Sequence, residues 1–271
     1  NELAWAVRTA DSVRANTLAS EARELARESG YTLGQARAAR TMAMTVHAWD
    51  ALPKLLGLAQ EAKRLFDEAD DAPGRAASRD FLSSIHEHVG DLAGGLELAL
   101  DALSIARELD DPVRQGYALS SIGGILAASG EADAAVERLQ EALRLFDGVP
   151  DPAGAGTILS RLSRVLKNAG RNEEALACAE LCLQAADASD NPFLRSTGLT
   201  VMAELAEQQG EPARAERLYR ASLACFEPTS AGRGVIGAST QIALGRLLTA
   251  QGAFAAAEFE LREALSWVEG D

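Results

Sequence analysis

Cysteine is scarce in this chain, aromatic residues are few, and no long apolar run occurs. Each absence removes a class of protein. Cys178, Cys182 and Cys225 are an odd, sparse set of three in 271 residues. No disulfide framework is expected from them, and a reducing cytoplasm is the compartment they fit. Apolar runs stay below the roughly 18 residues of a membrane span, and no signal-peptide pattern opens the chain. Aromatic residues make up 5% of the chain against 47% hydrophobic residues. The expected core is therefore aliphatic and alanine-rich, which suits close helix packing, whereas a sandwich or barrel draws on β-branched and aromatic residues. Positive charge is in deficit, with 26 Lys and Arg against 40 Asp and Glu and a net charge of −14. Such a surface repels phosphate backbones, so neither nucleic acid nor membrane is expected as a partner. The sequence starts at Asn1 without a methionine and stops soon after a helical pattern, which reads as a piece of a longer protein.

What the chain has is repetition. Gly90, Gly130, Gly170 and Gly210 recur every 40 residues, Gly252 follows at 42, and Asp50 holds the same slot before Gly90. A fixed period of this length is the mark of a solenoid. Before each glycine lies an amphipathic stretch, as in Leu119, Ile122 and Leu126 on one helical face. After it comes a second stretch with two small positions seven residues apart, such as Ala135 and Ala142, Ala175 and Cys182, or Ala215 and Ser222. Pro73, Pro112, Pro152 and Pro192 keep the same period and follow acidic or amide residues. That pattern suits a helix start, because proline near the first turn gives up no needed hydrogen bond. Two independent signals thus mark one frame. It predicts a partial leading repeat over 1–30, with its second helix over 11–30, and six helix pairs over 31–70, 71–110, 111–150, 151–190, 191–230 and 231–271.

These residues resemble the tetratricopeptide repeat family in its longer form, of about 40 residues per unit. The large-then-small pairs of its first helix are matched by Leu82–Ser83, Ile122–Gly123, Leu162–Ser163, Met202–Ala203 and Leu244–Gly245. The bulky slot between the two small positions of the second helix holds Leu139, Tyr219 and Leu261, but alanine in Ala59, Ala99 and Ala179. The resemblance implies an all-α, right-handed α-solenoid of antiparallel helix pairs, continuous along the chain. It also implies a concave groove lined by the first helices. Carried over slot by slot, the groove takes Arg37, Arg40, Met44 and His47 from the first full repeat, and Asp80, Ser84, Glu87 and His88 from the second. The third supplies Tyr117, Ser120 and Gly124, and the fourth Ser160, Arg164, Lys167 and Asn168. Thr200, Glu204 and Glu207 come from the fifth, Ile242 and Arg246 from the sixth. Small residues beside Tyr117, near the basic pair Arg164 and Lys167, would form a pocket for a carboxylate or an acidic peptide. Against this stands a plain solvated groove in which Arg164 pairs with Glu204.

No constellation of catalytic or metal-binding residues emerges. His86 and His88 stand two apart on different helix faces, and His86 falls in a slot expected to pack between helices. Cys178 and Cys182 share a face, but no further Cys or His completes a zinc set, and Cys182 fills a small-residue slot. The glycines near Gly232 lack the preceding strand that a dinucleotide fingerprint needs. No cofactor is expected, and no nucleophile–base pair is implied. The expected function is a non-catalytic interaction or regulatory module, binding a peptide or helix from a partner or from another part of its own parent protein. Bacterial proteins with similar long repeats attach them to output domains, which makes a diguanylate-cyclase output an expectation by analogy. A receptor for a small ligand or signal peptide is the competing reading, and an enzyme the remote one. The incomplete first repeat and uncapped last helix also raise homodimerisation through a solenoid end, which a monomeric mass by light scattering would dismiss.

Overall fold

The computed structural model describes residues 2–3, 12–46, 52–226 and 235–269. Among the described residues there are thirteen helices and no strand. The chain forms two compact units, Asn1–Leu145 and Phe146–Asp271. The first holds α1 (Ser12–Glu28), α2 (Thr32–Met44), α3 (Leu52–Glu68), α4 (Ala72–Val89), α5 (Leu92–Glu108), α6 (Pro112–Ala128) and α7 (Ala132–Arg144). The second holds α8 (Pro152–Asn168), α9 (Asn172–Ser189), α10 (Pro192–Gln208), α11 (Pro212–Ala224), α12 (Val235–Ala250) and α13 (Phe254–Glu269). Asp50 and His47 lie outside the described residues.

The acidic residues of the repeat are helix N-caps. Asp71, Asp111 and Asp151 accept hydrogen bonds from the backbone N–H of Gly74, Arg114 and Gly154 at 2.8, 3.0 and 2.9 Å. Asn191 does the same for Phe193 and Leu194. Each cap satisfies donors that the first turn leaves open, and Pro112, Pro152 and Pro192 open their helices directly behind it. The first helix of a pair then ends on the repeat's glycine: Gly130 has φ +86 and Gly170 φ +76. The left-handed backbone turns the chain back with no Cβ to clash.

Packing explains the small and bulky slots together. A Cβ on Gly123 would stand 2.7 Å from Leu139 Cγ, and one on Gly245 2.7 Å from Leu261 Cγ. A glycine in the first helix thus makes room for a leucine in the second. Where the bulky slot holds Ala99 or Ala179, the first helix carries Ser83 or Ser163 instead, and all four side chains are buried. The volume at the contact is shared between two positions, and the sum matters more than either residue.

Neighbouring repeats within a unit are tied by side chains roughly one period apart. In the first unit, Arg23 on α1 forms two hydrogen bonds to Glu61 on α3, at 2.7 and 2.9 Å. Ser121 on α6 donates to Asp80 on α4 at 2.7 Å. In the second unit, the hydroxyls of Thr200 and Thr240 meet at 3.1 Å, and Thr200 also meets Ser222 at 2.9 Å. These links run along the stack, so they hold repeat to repeat where the alanine contacts set the spacing.

Candidate functional site

The first helices of the first unit share a face, and two adjoining clefts open on it. The larger, about 400 Å³, is floored by Met44 of α2, Ala76, Ala77 and Phe81 of α4, and Val113 of α6. Arg40, Asp80, Ser84, Arg114 and Tyr117 give it a polar rim, and Ala102 of α5 also lines it. The second cleft, about 360 Å³, is lined by Arg37, Arg40, Thr41, Phe66, Asp71, Pro73, Gly74 and Arg114, with Glu2 from the chain's start. Arg40 and Arg114 line both.

The folding of the chain places these arginines. Arg40 sits over Phe66, its guanidinium carbon 5.9 Å from the ring centre, a cation–π arrangement. Phe66 itself is buried, and a Cβ on Gly74 would fall 2.0 Å from its ring, so only glycine leaves space for it there. Arg114 is fixed by three contacts at the start of α6. Its Nε donates to the Pro73 carbonyl at 3.2 Å, its guanidinium pairs with the Asp111 carboxylate, and its backbone N–H donates to the same Asp111. Arg37 stands exposed on α2 and, among the described residues, enters no ion pair. Asp71 is already committed to its helix cap. Asp80 accepts from Ser121.

Of the residues read from the sequence, Arg37, Arg40 and Tyr117 come together here, with Met44, Asp80 and Ser84. Ser120 and Gly124 are buried and line neither cleft, and among the described residues the Ser120 hydroxyl has no hydrogen-bond partner. His88 is exposed on α4 with its Nδ1 2.7 Å from the Ser84 carbonyl, outside both clefts. Arg164, Lys167, Asn168, Glu204 and Arg246 belong to the second unit. There Lys167 pairs with Glu204, joining α8 to α10, while Arg164, Asn168 and Arg246 are exposed. Glu207, placed in the groove by its slot, accepts a hydrogen bond from the buried Tyr219 hydroxyl instead. Thr200 is likewise taken up by its hydroxyl contacts.

Sequence reasoning missed Arg114, Phe81 and Val113. Arg114 did carry a signal: its slot holds Gly34, Gly74 and Gly154 in three other repeats, so a long cation there breaks the frame. His86 packs its Cβ against the Gly95 position and sets its Nδ1 2.7 Å from Asp91. The backbone N–H of Gly94 and then His86 hold the Asp91 carboxyl below its usual range. Among the described residues, no cluster of His, Cys, Asp and Glu could hold a metal ion.

Cys182 is buried, with its Sγ 3.5 Å from the Gly156 carbonyl and 3.6 Å from that of Leu194. Burial, then the nearby Cys178, pushes its thiol up to about 11. Because the thiolate is the reactive form, Cys182 is expected to stay unmodified by a thiol reagent at pH 8 in the native protein and to react once urea unfolds it. Mass spectrometry of the labelled peptides checks this.

No family model matches the chain, and no curated protein matches it in sequence. Solved structures do match in backbone. A Rap protein complexed with Competence and Sporulation Factor superposes with a TM-score of 0.69 at 13% identity, over 98% of this chain and 72% of that one. The apo form of the quorum sensor NprR from B. thuringiensis gives 0.62 at 13% identity, over 92% and 70%. A Podosopora anserina kinesin light chain with nearly identical TPR-like repeats gives 0.52 at 16% identity, over 71% and 94%. At these identities the likeness is one of fold: paired helices of the tetratricopeptide type. No described helix is long and apolar enough to cross a membrane.

Proposed function

We propose that the first unit is a peptide-binding, non-catalytic regulatory module whose site is the pair of clefts on α2, α4 and α6. The observation that carries this reading is the larger cleft: an apolar floor of Met44, Phe81 and Val113 under a rim of Arg40, Asp80, Arg114 and Tyr117. A few side chains of a partner segment fit such a volume, the floor supplying affinity and the rim orientation. The fold neighbours support a signal-receiving role: one was solved with Competence and Sporulation Factor and another is a quorum sensor. They lend nothing to a diguanylate-cyclase output, and the reading does not need one.

The test fills the cleft. Ala77 is half-buried in the cleft floor on α4, so Ala77→Phe places a ring in the open volume and leaves the helix contacts in place. A random heptapeptide pool passed over the immobilised protein should be retained by the wild type. The variant should retain roughly tenfold less, the effect of losing about 1.4 kcal/mol, with an unchanged melting temperature. Equal retention by both proteins would remove the cleft from the account.

A further inference from the structure

The second cleft carries three arginines against two acids, Glu2 and Asp71, the reverse of the chain's balance. On a protein of net charge −14, three guanidiniums, Arg37, Arg40 and Arg114, converge on one small volume. Two of them are set in place by other contacts: Arg114 by Asp111 and Pro73, Arg40 by the Phe66 ring. Arg37 is the exposed one, with donors to offer. Fixed guanidiniums over a partly enclosed surface bind carboxylates with little ordering cost. Glu2 also lines this cleft, exposed, and among the described residues makes no ion pair with any of the three arginines.

Resting on the peptide-binding reading above, we infer that the two clefts recognise a partner segment by an acidic side chain at Arg37, Arg40 and Arg114 beside an apolar one over Met44, Phe81 and Val113. The adjacency follows from Arg40 and Arg114 lining both clefts, which limits the two groups to neighbouring positions on the peptide.

A random heptapeptide pool made as C-terminal amides, read by mass spectrometry after retention on the full chain, tests this. The retained set should be enriched several-fold in Asp or Glu next to Leu, Ile, Met or Phe. The enrichment should fall with added salt, as attraction at a half-open site does. Arg37→Glu, at an exposed position that leaves the fold intact, should abolish the acidic preference while apolar members still bind. Arg40→Gln should weaken it. Retention with no acidic preference, or a preference unmoved by Arg37→Glu, overturns the inference but leaves peptide binding standing. A preference that appears only in a matching free-acid pool shifts recognition to the chain terminus and also overturns it. No retention by either pool overturns both readings.

Discussion

Tyr219→Ala should destabilise the second unit by about 3–5 kcal/mol, the range for emptying a large buried aromatic site. Tyr219 is fully buried at the bulky slot of α11. Its neighbours are small: Ala203, Ala206, Ala215, Ala243 and Ala257 surround it, with Leu244, Leu247 and Leu248. Alanines on a helix backbone cannot swing into a void, so the cavity stays open and the cost sits high in that range. The Tyr219 hydroxyl also donates to Glu207. Burial, then that hydrogen bond and the charge of Glu207, keeps the phenol protonated well above its usual range. Tyr219→Phe removes only this bond and should cost about 1 kcal/mol, since Glu207 remains partly open to water. Tyr219→Leu copies Leu139 and Leu261 from the same slot in other repeats, and should fall between the two. Urea unfolding of the full chain, followed by circular dichroism, ranks the three variants. An alanine variant as stable as the phenylalanine one would refute the packing account.

The second large effect concerns Arg79 on α4. Its side chain is only 9% exposed, and it pairs with Asp67 of α3 at 2.9 Å and with Asp101 of α5. One guanidinium therefore ties three successive helices. The acids are more open, 33% and 50% exposed. Removing the cation leaves two carboxylates that water reaches, whereas removing the acids leaves a buried cation with only the Arg75 carbonyl to donate to. Asp67→Ala with Asp101→Ala should thus cost on the order of 3 kcal/mol, and Arg79→Met, which keeps the buried stem, only about 1 kcal/mol. The reverse order would contradict this assignment. The cluster also sets an acid dependence. Burial works against ionising Asp67, but hydrogen bonds from Arg79 and Lys63 outweigh it and hold the carboxyl below its usual value. A carboxyl depressed in the fold contributes stability that is full above its unfolded pKa, about 3.9, and is lost as pH falls through the lower folded value. Asp67→Asn should therefore flatten the decline of stability below about pH 4.

The fold was legible because its signals are periodic and physically redundant. The Gly130 turn, the caps at Asp111 and Asp151, and the pairing of Leu139 with Gly123 all report one frame by different chemistry. The site was legible only in part. The repeat frame tells which helix face a residue occupies, and Arg37, Arg40 and Tyr117 do lie at the candidate clefts. It does not tell whether a side chain is taken up by a neighbour one period away. Thr200 and Glu207 have groove slots but are spent on Ser222, Thr240 and Tyr219. Ser120 and Gly124 sit where helices close over them. Arg114 went unseen because its slot belongs to the helix start, and only a break from glycine marked it.

The central claim, that the face of α2, α4 and α6 in the first unit is the binding site, has a direct measurement. The most strongly retained heptapeptide amide, titrated into isotope-labelled full chain, should shift backbone amide resonances of residues 37–44, 77–84 and 113–117 and leave the second unit unchanged. Shifts confined to the second unit, or spread over both without focus, would contradict it.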